Sequence, residues 1–447
     1  MPRVLVDIEN NHAIQTLTPE QFFILQNCNG EVDLQMNDIC KKLLEDGIII
    51  ENINNKKLKE AQKYHYFDNR HFSTVRWGIT SRCNYKCRHC FMAEGKENSN
   101  YELPLDKCLN IVNQIADCGI ESVILTGGEP LLRKDFFDII DELLKRNINI
   151  NAINTNGSLI TNNFLNELNK RKIKPAFSVS FDGIGYHDWM RGVNGAEKQA
   201  IDAIKLLVKN GFYVIAVCCI HQGNIHILKD TVELMNNLGV NRVEVYRTAE
   251  TLRWNSSPVE NKSLSYKDCY DAYMDLLYTH KNRDWNVSFY LKDFCRTDNK
   301  ANITQIVPSR CSNNSDFSKD FACPSVRSML FIAPNGQALP CNAYTGYTLK
   351  HKWPFENLQN IQLKDILKQS IYLNYVLTSV KDLFENNKEC KNCKYSQKCM
   401  GGHCRLIALA STGSFYGKDE STCAFFEGNY EEKIKDFMKS NIKKQLK

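Results

Sequence analysis

The chain has 447 residues, a net charge of +6, and 43% hydrophobic and 24% charged residues. These are the proportions of a globular protein of two or three domains. It has no run of 18 or more apolar residues, and MPRVLVDIENNHAIQTL at its start lacks the apolar core and cleavage site of a signal peptide. No membrane-spanning helix is therefore expected, and a cytoplasmic location is. Part of the positive charge sits in the tail KSNIKKQLK. A few extra lysines on a chain this long read as solvated surface and give no reason to expect nucleic acid. Nineteen cysteines in a chain read as cytoplasmic point to metal binding or catalysis rather than disulfides.

Residues 1–70 read as a separate N-terminal segment. VLVDIE and AIQTL have the pattern of short strands. LTPEQFFILQNCNG follows, with Thr18 as N-cap, Pro19 at the first helical position and apolar residues at helical spacing. DLQMNDICKKLLEDGIIIEN reads as a second helix that ends at Gly47 and leads into a strand. Cys28 and Cys40 fall on apolar helix faces and are expected in the core. In pattern, these elements resemble the winged-helix peptide-recognition domains (RiPP recognition elements) found beside or fused to peptide-modifying enzymes. An ordinary capping subdomain fits the same pattern.

Over residues 71–285 strands alternate with amphipathic helices. VRWGIT, SVILTGGEP, INAINTN, KPAFSVSFDG, FYVIAVCCI and NRVEVYRT are the strands. Six such units predict a parallel α/β sheet, either a partial TIM-like (βα)6 barrel or an open sheet. Both arrangements bind ligands at the C-terminal ends of their strands, and the polar motifs lie there. Cys83, Cys87 and Cys90 follow the first strand in a C-x3-C-x2-C spacing. Three thiolates on one loop can hold three corners of a [4Fe–4S] cube, and since a full set is four, one iron is left open. A zinc knuckle using His89 as fourth ligand competes with this reading. Thr126 to Pro130 offers bare glycine backbone at Gly127 and Gly128 and a carboxylate at Glu129, which suit a ligand ammonium group. NTNG and SFDG end the next two strands. Ser180, Asp182 and Arg191 offer partners for a ribose or a carboxylate.

The cysteine loop after strand 1, GGEP after strand 2 and the six-unit array together resemble the radical S-adenosylmethionine (SAM) superfamily. The resemblance implies that Cys83, Cys87 and Cys90 hold a [4Fe–4S] cluster whose open iron is chelated by the methionyl group of SAM. It further implies that the GGE stretch binds the amino group with Glu129 as its acceptor, and that His89 lies near the adenine. Ser180, Asp182 and Arg191 would meet the ribose or carboxylate. Reductive cleavage of SAM would yield a 5′-deoxyadenosyl radical that takes a hydrogen atom from substrate.

From about residue 286 the alternation is expected to stop, with 286–322 as a bridging segment. Cys323, Gly336 and Cys341 then read C-x12-G-x4-C, and Cys390, Cys393, Cys399, Cys404 and Cys423 read C-x2-C-x5-C-x4-C-x18-C. This layout over 323–428 resembles the SPASM extension of radical SAM enzymes, with two auxiliary [4Fe–4S] clusters. His403, inserted in CMGGHC, departs from the usual spacing. The resemblance assigns Cys390, Cys393, Cys399 and Cys423 to one cluster and Cys323, Cys341 and Cys404 to the other. The fourth ligand of the latter is Cys311, Cys295 or none, Cys311 being nearer in sequence. A zinc ribbon explains one C-x2-C pair but not all three cysteine groups. Cys108, Cys118, Cys269, Cys218 and Cys219 are expected mostly in the core, and 429–447 as a basic helix or tail.

The radical SAM enzymes that this chain resembles, with SPASM clusters and an N-terminal recognition-like segment, mostly modify ribosomally made peptides. The leading expectation is therefore a peptide maturase that installs a thioether, carbon–carbon or carbon–oxygen crosslink in a precursor peptide, reduced by a flavodoxin- or ferredoxin-type donor. A formylglycine-generating maturase of the sulfatase type is the alternative within the class. A non-catalytic iron–sulfur carrier or sensor is the alternative outside it.

Overall fold

The computed structural model describes residues 3–8, 11–28, 34–51, 73–93, 102–255, 262–310, 320–323, 329–346 and 353–445. The chain divides into two units, 1–67 and 68–447.

In the first unit β1 (Arg3–Ile8) and β2 (Asn11–Thr16) pair antiparallel, with Arg3 opposite Thr16. Helix α1 (Pro19–Asn27) starts at a capping box. The Thr18 hydroxyl accepts the Gln21 N–H (3.2 Å), and the Gln21 side chain accepts the Thr18 N–H (2.9 Å). Helix α2 (Asp38–Glu45) is capped by Asn37, and Ile24, Cys40 and Leu43 form a small core on which Cys28 packs. The strand expected directly after Gly47 does not form over residues 48–51. Gly47 adopts a left-handed φ of 67°, and the N–H groups of Ile48 and Ile49 turn back onto the Leu43 carbonyl (2.9 and 3.2 Å). Those amides cap the helix and are not available to a ladder. The rest of that expected element, beyond residue 51, lies outside the described residues.

In the second unit, β3 (Thr74–Thr80), β4 (Ser122–Gly127), β5 (Asn149–Thr155), β6 (Ala176–Ser180), β7 (Val214–Ile220) and β8 (Arg242–Arg247) lie parallel, each beside the next. The crossovers carry α3 (Leu105–Asp117), α4 (Phe136–Lys145), α5 (Asn162–Lys170), α6 (His187–Arg191), α7 (Ala196–Lys209) and α8 (Leu228–Asn237), and α9 (Tyr266–Arg283) follows β8. Alternate residues of these strands face opposite sides of the sheet. Val75, Trp77, Val123, Leu125, Phe177, Val179, Val243 and Val245 are buried in the helix-side core. Their neighbours Arg76, Ile124, Ser178, Ser180, Glu244 and Tyr246 point to the other face and are half-buried.

The parallel run is longer than the expected six strands. After α9, β9 (Ser288–Leu291) pairs parallel with β8, and β10 (Cys295–Thr297) and β11 (Ile303–Ile306) continue the sheet antiparallel. On the opposite edge β12 (Met329–Ile332), from the cysteine-rich region, pairs parallel with β3, Met329 facing Thr74, and β13 (Ala338–Leu339) follows it. The order is β11-β10-β9-β8-β7-β6-β5-β4-β3-β12-β13. Residues 286–322 therefore do not simply bridge; their described part forms one edge of the sheet. SFYL and MLFI are too short to carry a periodic signal.

The cysteine-rich region is fixed to the β9–β11 side of the sheet by aromatic packing. Tyr270 of α9 lies 5.2 Å from Phe294, 6.0 Å from Phe425 and 5.3 Å from Tyr430 between ring centroids. The Tyr270 hydroxyl donates to the Ser421 carbonyl (3.0 Å) and the Tyr430 hydroxyl to Asp271 (2.7 Å). The last helix, Tyr430–Gln445, buries Tyr430, Ile434 and Phe437. Among the described residues no helix is long and apolar enough to cross a membrane.

Arg133, almost wholly buried, ties the end of β3 to the segment before α3. It donates to the carbonyls of Ile79 (2.7 Å) and Leu103 (2.8 Å) and pairs with Asp135 (2.6 Å). Arg133→Met leaves two carbonyls and a carboxylate without their cation. It is expected to lower the unfolding free energy by about 3 kcal/mol or more, read by urea denaturation; a loss within the scatter of surface mutants would contradict this role.

Candidate functional site

Cys83, Cys87 and Cys90 follow β3 on a loop held from three sides, two by main-chain contacts and one by side chains. From β4, the N–H groups of Gly128 and Glu129 donate to the carbonyls of Thr80 and Arg82 (both 2.8 Å). A Cβ on Gly127 would collide with the Thr80 carbonyl, and one on Gly128 with the Arg82 and Ser81 carbonyls. Only bare backbone permits this approach. From α6, the carbonyls of Arg191 and Met190 accept the N–H groups of Lys86 (3.2 Å) and Arg88 (2.9 Å). From the end of β5, Asn156 donates to Asn84 (2.9 Å), and Asn84 donates to Ser158 (2.9 Å).

Two buried charged groups support this seat. Glu129 is fully buried. Its Oε1 accepts from the Thr155 hydroxyl (2.9 Å) and the Leu131 N–H (3.2 Å), and its Oε2 from the Asn156 N–H (2.7 Å). Burial raises its carboxyl to about 7, against the pull of these donors. Asp182 accepts from Arg191 Nε (2.6 Å) and Nη2 (3.0 Å) and from the Cys219 N–H (3.0 Å). Burial pushes Asp182 up, but the Arg191 guanidinium overrides this and holds it well below the usual carboxylate range. The Asp182 N–H donates to His187 Nδ1 (3.0 Å), and the Asn224 amide donates to the Asp182 carbonyl (2.7 Å). Arg191 Nη1 reaches Cys87 Sγ at 3.7 Å. His89 is held neutral, its pKa lowered to about 3 by burial and then by Arg191, and its Nδ1 has no hydrogen-bond partner. Donor atoms of His89, Asp182 and Cys219 lie within 4.8 Å of one another. Ser180 is half-buried at the end of β6.

The expected site residues thus gather at the strand ends, but with different partners. Glu129, Asp182 and Arg191 spend these hydrogen bonds within the protein. Thr155, Asn156, His187, Cys219 and Asn224 belong to the same network, and sequence reading gave them no role. NTNG was visible as a strand-end motif; His187 and Asn224 carried no signal, because their partners are distant in the chain. Cys218 is core as expected, but Cys219 turns to the other face and is half-buried.

The donor chemistry fits three iron–sulfur sites. Burial pushes Cys83 up to about 12, with Cys87 and Cys90 close enough to add to the shift. Burial likewise raises Cys399 to about 11 and Cys423 to about 12; Cys390 acts on both, and Cys393 on Cys399. Cys341 is raised to about 11 by burial and then by Cys323, which also acts on Cys404. Thiols crowded this way release protons to a metal. Of the two candidate fourth ligands, Cys311 lies outside the described residues. Cys295 is buried in β10 and raised by burial alone, with no cysteine acting on it.

Residues 77–245 match the radical SAM superfamily, and residues 323–394 match SPASM, an iron–sulfur cluster-binding domain. The chain is 24% identical over 361 residues to an AdoMet-dependent heme synthase of Nitratidesulfovibrio vulgaris, covering 78% of this chain and 92% of that protein. It is 23% identical over 352 residues to a PqqA peptide cyclase of Bradyrhizobium diazoefficiens, covering 77% and 84%. Among solved structures, Streptococcus suis SuiB bound to the precursor peptide SuiA superposes with a TM-score of 0.66 at 17% identity, covering 92% of this chain and 94% of that one. The protein is a radical SAM enzyme. More particularly, it belongs to the members that carry a C-terminal SPASM domain, whose cofactors are a [4Fe–4S] cluster with SAM and further iron–sulfur clusters.

Two variants separate the seat from the ligands. Cys83→Ala/Cys87→Ala/Cys90→Ala should lower iron and sulfide by one cluster's worth, roughly 4 of 12 iron atoms per chain. Gly128→Ala keeps every cysteine but forces the loop off β4, and is expected to lower iron at the same site and to abolish 5′-deoxyadenosine formation. Iron content and SAM cleavage equal to wild type in Gly128→Ala would show that the close approach is unnecessary.

Proposed function

We propose that this protein is a peptide maturase that installs a thioether, carbon–carbon or carbon–oxygen crosslink in a ribosomally made precursor peptide. The observation that carries this reading is the N-terminal unit ahead of a radical SAM core with two auxiliary cysteine groups. In that unit, a two-stranded sheet leaves each strand one edge without a partner among the described residues. Such an edge offers N–H and C=O groups that an extended leader peptide can satisfy by strand addition. The likeness to SuiB, solved with its precursor peptide, spans 92% of this chain, too much to omit the whole 67-residue unit.

When bound, the cluster and SAM supply one-electron reductive cleavage and hydrogen-atom abstraction. Cys83, Cys87 and Cys90 hold that cluster on their three-sided seat. Gly127 and Gly128 bring bare backbone to the SAM amino group. Glu129 keeps that backbone in place through Thr155 and Asn156 rather than by meeting the ammonium itself. His89, neutral and with an unpartnered Nδ1, would hold the adenine of SAM, and Ser180 its ribose. Asp182 and Arg191 act on SAM through the loop they fix. Cys390, Cys393, Cys399 and Cys423 hold one auxiliary cluster; Cys323, Cys341, Cys404 and Cys311 hold the other. A flavodoxin- or ferredoxin-type protein supplies the electron.

A second reading, heme synthesis, is favoured by the match over 92% of the heme synthase. It gives the N-terminal unit no task. Deleting residues 1–67 therefore tests the choice. Peptide maturation predicts that leader affinity falls tenfold or more, about 1.4 kcal/mol, and crosslinking slows, while peptide-independent SAM cleavage persists. Equal leader affinity with and without the unit, measured by fluorescence anisotropy, would reject the recognition role.

A further inference from the structure

Asp419 is outside every cysteine motif and has no part in the reading above, yet it touches both auxiliary cysteine groups. Its side chain is fully buried. Its Oδ2 accepts from the N–H groups of His403 and Cys404 (both 2.8 Å) and from the Thr422 hydroxyl (2.9 Å). Its Oδ1 accepts from the Ser421 hydroxyl (2.7 Å) and from the N–H groups of Ser421 (3.1 Å) and Thr422 (3.3 Å). Asp419 is also the N-cap of the helix Glu420–Glu427, and its carbonyl accepts the Cys423 N–H (2.9 Å). One side chain thus holds the main chain of Cys404, from the first auxiliary group, and starts the helix that presents Cys423, from the second.

Helix capping does not account for this arrangement. A serine or asparagine at the N-cap supplies one acceptor oxygen for the N2 or N3 amide. Here the second oxygen takes two amides from a different loop, and every partner is a donor, so the site is shaped for a carboxylate. The compensating cation is Arg405, also buried. It donates to the carbonyls of Gly401, Phe415 (3.3 Å) and Gly417 (3.1 Å). Gly402 passes between the two: a Cβ there would lie 2.5 Å from Asp419 Cβ and 2.6 Å from Arg405 Nη2. The charges reach the sulfurs as well: after burial, Asp293 and then Asp419 act on Cys404, Asp419 acts on Cys423, and Arg405 on Cys390.

We propose that Asp419 is a positioning residue shared by the two auxiliary clusters, and that its single buried charge sets both reduction potentials together. The inference rests on the reading of these two cysteine groups as cluster sites. Amide N–H groups directed at cluster sulfur, and net positive charge nearby, raise a cluster's potential. Asp419 does the reverse twice over. It draws the His403 and Cys404 amides onto an oxygen, and it places a negative charge beside a ligand of each cluster. Both clusters are thereby kept at lower potential than their cysteines alone would give.

The test is an EPR-monitored redox titration of reconstituted full-length enzyme, with iron and sulfide counted on every sample. Asp419→Asn is expected to shift both auxiliary midpoints upward and leave the Cys83/Cys87/Cys90 cluster where it was. Arg405→Gln, the opposite change of charge, should shift both auxiliary midpoints downward, a reversal of sign that loosened packing does not produce. Asp419→Glu keeps the charge and should restore the wild-type midpoints. Ser421→Ala and Thr422→Ala remove capping hydroxyls without touching the charge, and should move neither cluster. A shift confined to one auxiliary cluster, shifts of the same sign in Asp419→Asn and Arg405→Gln, or an equal shift in the hydroxyl variants would overturn the inference. Wild-type iron equal to a single cluster would overturn the cluster reading and this inference with it.

Discussion

The buried pair between Asp182 and Arg191 is the constraint on which the site depends. An ion pair away from water adds stability only when its remaining hydrogen-bonding capacity is met. Asp182 meets that condition, because Arg191 supplies two donors and Cys219 a third. The pair fixes the end of α6, and with it the carbonyls of Met190 and Arg191 that receive the amides of Arg88 and Lys86. The loop between Cys83 and Cys90 therefore takes its shape from a strand three positions away in the sheet order. Gly192 completes the seat. Its left-handed φ of 65° turns the chain out of α6, and a Cβ there would lie 2.7 Å from the Lys86 carbonyl.

Glu129 does the corresponding work on the other side of the loop. A carboxylate so deeply buried is costly unless donors surround it, and Thr155, Asn156 and Leu131 do. Because Asn156 also holds Asn84, the GGE stretch, the end of β5 and the cysteine loop form one connected hydrogen-bonded body. The sulfur positions are thus fixed by main chain and buried side chains before any iron arrives. Such pre-organisation lowers the ordering cost of assembling a metal site.

The unequal legibility of these features has a physical cause. The six repeated strands announce themselves by periodicity, and the cysteine groups by spacing, since both are local patterns of residue type. Thr18 and Pro19 marked the start of α1 for the same reason. The strands β9 and β12 are four residues long, and their existence depends on an open edge of the sheet waiting for them; no local pattern records that edge. The strand expected after Gly47 failed because apolar Ile48 and Ile49 satisfy a helix end as readily as a ladder. Asp182 reads as a polar group at a strand end, which is where it lies, while Arg191 ends α6. That they bind each other rather than a ligand is a tertiary fact, as are the roles of His187, Asn224 and Asp419.

The two late strands also explain why the cysteine-rich region and the barrel act as one body. The chain leaves the parallel array at β9, yet returns to the opposite edge at β12, beside the strand that carries the cysteine loop. Phe331 and Pro334 pack so closely on Gly78 of β3 that a Cβ there would meet them at 3.0 to 3.3 Å. At the other edge, Tyr270, Phe294, Phe425 and Tyr430 interlock α9 with the helix that carries Cys423. A domain attached at both edges of an open sheet cannot swing as a tethered module would. The auxiliary cysteine groups are therefore held relative to the strand ends by packing rather than by a hinge.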